Sequence, residues 1–155
     1  MILFVSGAVL ILDQITKILV DRLMPLYHTI TIIPNFAALT YLRNTGAAFG
    51  VLAGEPSVYR IGFFVVVSIV ALGCIFYLLR LTRPEKKLTL VSLSLILGGA
   101  VGNMVDRLRL GEVIDFILIH YYDLHWPAFN VADSAISIGV VLLIVQMIRQ
   151  KSTDF

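Results

Sequence analysis

Cysteine is almost absent from this chain of 155 residues. Cys74 stands alone inside an apolar run, which excludes an internal disulfide and a cysteine-based metal site and leaves packing as its expected role. Charge is scarce too: Asp, Glu, Lys and Arg make up 14% of the residues, against about 25% in an average soluble domain. The twelve basic and ten acidic residues are scattered, so the sequence lacks a basic patch and nucleic acid is not an expected partner. His28, His120 and His125 form no H-E-x-x-H pattern, and no metal is expected. No G-x-S-x-G setting accompanies a serine, so a serine nucleophile is not expected. Internal repeats and low-complexity tracts are missing as well.

What the chain has is apolar length. It is 59% hydrophobic, and four runs, at about 2–20, 61–80, 88–106 and 131–148, match the roughly 20 residues a helix needs to cross a bilayer core. One polytopic membrane domain over 1–155 is expected, with non-membrane segments at 21–60 and 107–130. The first run has no basic residue before its apolar core and no convincing small-residue cleavage site, so it reads as a retained helix rather than a signal peptide. Gly98, Gly99 and Gly102 in the third run suit close helix packing. The hairpin "RLTRPEKK" holds Arg80, Arg83, Lys86 and Lys87, and Arg149 and Lys151 follow the fourth run. Basic loops stay cytoplasmic, which places both termini inside and the segments 21–60 and 107–130 outside.

Those outer segments read as strands and turns. "HTITIIPNFAALTYLRNTGAAFGVL" alternates at Thr29 to Ile32 and is bounded by Pro34, Gly46 and Gly50. "EVIDFILIHYY", residues 112–122, is β-branched and aromatic. Pieces from the two loops are expected to pair into a small interfacial sheet, since an open sheet edge cannot face lipid. The three histidines are expected at the interface.

Ionisable residues in membrane segments cost roughly 2.5 to 3.5 kcal/mol each on insertion scales and face protein or a water-filled cavity. Asp13 and Lys17 are four apart on one helix face, as a structural ion pair or a more direct participant. At the end of the third run, Asn103 and Arg107 share a face and suit one polar pocket. Asp106 beside them is unfavourable at a helix C-terminus unless a cation, Arg107 or Lys17, is near. Asn130 and Asp133 fit an ordinary N-cap with an acidic N3 residue. Asp115 is harder to explain blandly: with strand alternation, Val113, Asp115 and Ile117 share a face, and burial of that face turns a carboxylate inward. Two such carboxylates sharing a proton can activate water and protonate a carbonyl without a cofactor.

The ordered blocks "DQITK" (13–17), "RNTGAAFG" (43–50), "GNMVDR" (102–107), "VIDF" (113–116) and "FNVADS" (129–134) run through four apolar helices. In this the chain resembles signal peptidase II, the bacterial lipoprotein signal peptidases, over nearly its full length. The resemblance implies a membrane all-α fold: four transmembrane helices, a small outer β-cradle and a short interfacial helix. It implies an intramembrane aspartic endopeptidase of the bacterial inner membrane with catalytic Asp115 and Asp133, no cofactor and no metal. The substrate it implies is a prolipoprotein cut just before a diacylglyceryl-modified cysteine. The family's supporting polar residues fall on Asp13, Lys17, Asn44, Asn103, Asp106, Arg107 and Asn130.

On that reading the dyad titrates as a pair. Asn130 joins the protonated Asp in holding the oxyanion, and Arg107 and Asn44 orient the site or the substrate backbone. "RNTGAAFG" either turns at Gly46 and Gly50 or contacts substrate, and Pro56 and Tyr59 are candidates for a gate. Membrane lipid is the other expected partner, and the monomer the expected working unit. An ion-coupled transporter would string its carboxylates across the membrane, whereas all but Asp13 gather at the outer side by this topology; a non-enzymatic assembly subunit would tolerate Asn at 115 and 133.

Overall fold

The computed structural model describes residues 1–46, 54 and 57–153. Its four helices are α1 (Ile2–Leu23), α2 (Val58–Leu81), α3 (Lys87–Leu110) and α4 (Val131–Thr153). All four are long and apolar enough to cross a membrane. α3 is the central one: half of its most apolar window is buried, against 11 to 17% for the other three. Side chains such as Phe4, Val58, Tyr59 and Ile148 point outward, as expected where the surrounding solvent is hydrocarbon rather than water.

The helix ends follow from local chemistry. α1 stops at Met24, ahead of Pro25, which cannot continue a helix. α2 starts three residues before the expected 61, because Ser57 Oγ accepts from Arg60 N at 3.2 Å and caps it. α3 ends on Gly111 at φ +76°, a left-handed residue whose amide donates to Arg107 O at 3.0 Å. That turn sends the chain directly into the strand carrying Asp115.

Four antiparallel strands form one sheet in the order β1 (Thr29–Ile33), β2 (Ala37–Asn44), β3 (Val113–Tyr121) and β4 (Leu124–His125). The two non-helical segments therefore do pair, through β2: its Leu42 lies opposite Asp115 and its Asn44 opposite Val113. His120 and His125 stack across β3 and β4 at 5.2 Å. Among the described residues of these segments there is no interfacial helix.

β3 has two working faces. Ile114 and Phe116 pack with Val20 of α1 and Tyr41 of β2 in a buried cluster, while Val113 and Asp115 face a cavity. Ile117 departs from the expected alternation and packs against the Ile114 cluster. The amides of Phe116 and Ile117 both donate to Phe129 O, at 3.0 and 2.8 Å, an irregularity that breaks the simple two-residue period. Cys74 also departs from expectation, being exposed on the outer surface of α2 rather than packed inside.

Candidate active site

Asp115 and Asp133 line one cavity of about 830 Å³ at the sheet end of the bundle, together with Asn44, Asn103 and Arg107. β3 delivers Asp115, and the first turn of α4 delivers Asp133. Asn130 is the N-cap between them. Its Oδ1 accepts from Asp133 N at 2.9 Å, while Asp133 Oδ2 accepts from Asn130 N at 3.3 Å, completing a reciprocal capping box. The Asn130 Nδ2 donates to Asp115 Oδ1 at 2.8 Å, so one residue holds both carboxyl groups, Asp115 through its side-chain amide and Asp133 through its backbone N–H.

Each carboxyl group has a second amide donor. Asn44 Nδ2 reaches Asp115 Oδ2 at 3.0 Å, and Asn103 Nδ2 reaches Asp133 Oδ1 at 2.7 Å. Burial, and next the charge of Asp133, push the Asp115 carboxyl up to about 7 against the opposing bonds from Asn44 and Asn130. A neutral, proton-donating Asp115 is thus accessible near neutral pH, beside a second carboxyl group.

Behind the cavity lies a buried ionic cluster. Lys17 Nζ is 2.9 Å from Asp13 Oδ2 and 2.9 Å from Asp106 Oδ2, with all three side chains almost fully buried. Lys17, not Arg107, is therefore the cation that Asp106 requires. The ammonium also donates to Asn103 Oδ1 at 2.9 Å, linking the cluster to Asp133 through one amide. Asp13 Oδ1 accepts from Ala132 N at 2.9 Å, and Asp106 Oδ2 accepts from Ile114 N at 3.2 Å. The cluster thereby pins the backbone next to each cavity carboxylate. Desolvating three charged groups is expensive, and this density of hydrogen bonds is what such a cluster needs.

Gln14 escaped the sequence reading although it belongs to "DQITK". Its Nε2 lies within hydrogen-bond reach of Asp13 Oδ2, Gly102 O and Asp106 Oδ1 at 3.0 to 3.2 Å. A polar residue beside a charged pair in an apolar helix was the available signal.

Arg107 stands apart from these tight contacts. Its guanidinium makes long bonds to Asn103 O (3.5 Å) and Gly46 O (3.4 Å) and lies 5.2 Å from the Phe64 ring centre. Gly46 N in turn donates to Asn44 Oδ1 at 2.9 Å, which orients the Asn44 amide. Of the suggested gate, Pro56 lies outside the described residues, as do Ala47 to Gly50 of "RNTGAAFG", while Tyr59 is exposed in the first turn of α2.

A family model described as signal peptidase (SPase) II matches residues 5–149. The chain belongs to the signal peptidase II family. It is 54% identical to the lipoprotein signal peptidase of Geobacter sulfurreducens over 142 residues, covering 92% of this chain and 88% of that one. It is 42% identical to the lipoprotein signal peptidase of Pseudomonas putida, covering 98% and 89%. A solved bacterial membrane enzyme, determined by the in meso method, superposes with a TM-score of 0.89 at 34% identity, over 99% of this chain and 91% of that one. Membership in a signal peptidase II family and four membrane-length helices make this a multi-pass membrane peptidase.

Proposed function

We propose that this signal peptidase II family member cleaves diacylglyceryl-modified prolipoproteins just before the lipidated cysteine, with Asp115 and Asp133 as the acid–base pair. The observation that carries the reading is the Asn130 bridge, which holds the buried carboxyl group of Asp115 from β3 and the half-buried one of Asp133 from α4 on the wall of a single cavity. The ionised member of the pair takes a proton from water, whose oxygen attacks the scissile carbonyl. The neutral member gives its proton to the carbonyl oxygen. Collapse of the tetrahedral intermediate breaks the C–N bond, and a proton passes to the leaving amine of the cysteine.

The geometry supports a changed role for Asn130. Its two Nδ2 hydrogens already face Asp115, Ile114 O and Asn103 Oδ1, so it positions the pair rather than holding the oxyanion. Arg107, whose contacts among the described residues are long, is the cavity donor suited to a substrate carbonyl. Asn44 and Gly46 shape the same wall, while Asp13, Lys17, Asp106 and Asn103 act through the carboxylates they fix.

The enzyme works as a monomer in the bacterial inner membrane, with both termini cytoplasmic, the cavity near the outer surface and the substrate's acyl chains in lipid. The test is cleavage of a lipidated prolipoprotein peptide by purified wild type, Asp115→Asn and Asp133→Asn. Both near-isosteric variants should be folded and inactive; wild-type rates in either would remove that residue from the mechanism.

A further inference from the structure

A second cavity, of about 390 Å³, lies at the opposite end of the bundle, where the α2–α3 turn meets the C-terminal half of α4. Its lining has two chemistries. Leu78, Leu81, Leu143 and Met147 form an apolar slot, and the exposed Arg83 and Lys86 add two cations at its rim. Neither cation is ion-paired among the described residues, and Glu85 between them pairs with neither.

The start of α3 adds a third positive element. Its N-cap is Lys86, which makes no side-chain cap, and its first turn holds no acidic residue. The Lys86 and Lys87 amides are taken by Arg83 O and Glu85 O at 3.0 and 2.9 Å, so what this end offers an anion is the helix dipole. The polar floor, by contrast, is already satisfied: Thr89 Oγ1 donates to Gln146 Oε1 at 2.7 Å, and Gln146 Nε2 donates to Ser92 Oγ at 3.1 Å and Leu142 O at 2.9 Å. What is left unmatched among the described residues is positive charge at the rim and apolar surface beneath it.

We propose that this cavity holds one anionic phospholipid of the adjoining leaflet, its phosphate on Arg83, Lys86 and the α3 N-terminus and one acyl chain along Leu81, Leu143 and Met147. A free phosphate would use only the rim and leave the slot empty. A zwitterionic lipid would fill the slot but return less to the two cations. The bound lipid bridges the α2–α3 turn to α4 across the cavity. Lys and Arg each add attraction to an anionic lipid headgroup, so removing two should cost at least tenfold in affinity.

The test is native mass spectrometry of the full chain in neutral detergent, titrated with phosphatidylglycerol, phosphatidylcholine or inorganic phosphate. Wild type should retain one phosphatidylglycerol, and the Arg83→Gln/Lys86→Gln variant should bind it at least tenfold more weakly. The Arg80→Gln/Lys87→Gln variant loses the same charge outside the cavity and should bind as wild type does. Leu143→Trp, which blocks the slot and keeps both cations, should also lose the lipid. Equal losses in the two charge variants would reduce the effect to general surface attraction and overturn the site. Equal binding of phosphatidylcholine, displacement by millimolar phosphate, or full binding by Leu143→Trp would overturn it as well. Prolipoprotein cleavage by each variant in detergent reports folding.

Discussion

Asn103 donates from Nδ2 to Asp133 Oδ1 at 2.7 Å while its Oδ1 accepts from the buried Lys17 ammonium at 2.9 Å. The ammonium can only donate, so the Asn103 amide has one possible orientation, with its NH2 toward the carboxylate. A charge cluster that never lines the cavity thereby sets how one cavity carboxylate is held. Asn103→Ala is expected to leave substrate binding nearly unchanged and lower kcat by about tenfold to a hundredfold, less than the about 10²- to 10⁴-fold that general acid–base catalysis supplies. Steady-state cleavage with kcat and KM separated is the measurement; a rise in KM alone would place Asn103 in substrate contact instead.

Lys17→Met leaves Asp13 and Asp106 buried without their cation. Removing one partner of a buried ion cluster costs about 3 to 5 kcal/mol, and Met replaces the stem but not the charge. The variant should unfold at lower denaturant in detergent. Asp13→Asn combined with Lys17→Met should recover part of that loss, because one orphaned carboxylate is gone. A double variant no more stable than the single one would show that the cluster's charge balance is not what stabilises it.

Much of this arrangement was legible in the sequence. The four apolar runs locate the helices, and the Asn130–Asp133 spacing announces the capping box that the structure contains. Asp115 among apolar β-branched residues correctly points inward. Other features were not legible because they depend on which elements meet. Asp13 bonds the amide of Ala132, 119 positions away, and no local pattern encodes that. Cys74 faces outward because a lipid-facing surface is as apolar as a core, so hydrophobicity alone cannot separate the two. Ile117 leaves the expected face because Phe129 O receives two successive strand amides there.

The raised Asp115 carboxyl sets a pH dependence of stability with a definite sign. It titrates near about 7 in the folded chain against an ordinary 3.8, so between those values the folded state holds more protons than the unfolded one. Stability should then fall as pH rises through that window, with a slope approaching about 1.4 kcal/mol per pH unit for one group. Asp115→Asn should flatten the slope, measured as denaturant unfolding from pH 4 to 7. In wild type, kcat/KM should fall above about pH 7 as the shared proton is lost. A stability profile unaffected by Asp115→Asn would mean that this carboxyl does not carry the shift.

Gly102 tests whether close helix approach serves the polar cluster rather than packing alone. A Cβ at this position would sit 2.6 Å from Asp13 Oδ2 and 3.5 Å from the Ala132 methyl group. The obstacle is a carboxylate fixed by Lys17 and by the α4 amide, not the free end of a flexible chain. Gly102→Ala should therefore destabilise the fold by about 1 to 3 kcal/mol, the usual cost of overpacking. It should also lower cleavage further than that loss of folded protein explains, because displacing Asp13 loosens the first turn of α4 and with it Asp133. Gly139 provides the comparison, since its Cβ would meet Ile96 Cγ1 and Ser92 O, both at 2.7 Å, away from the charge cluster. Gly139→Ala should cost similar stability with no extra loss of rate per folded molecule. Equal specific activities for the two variants would separate the glycine packing from the carboxylate geometry.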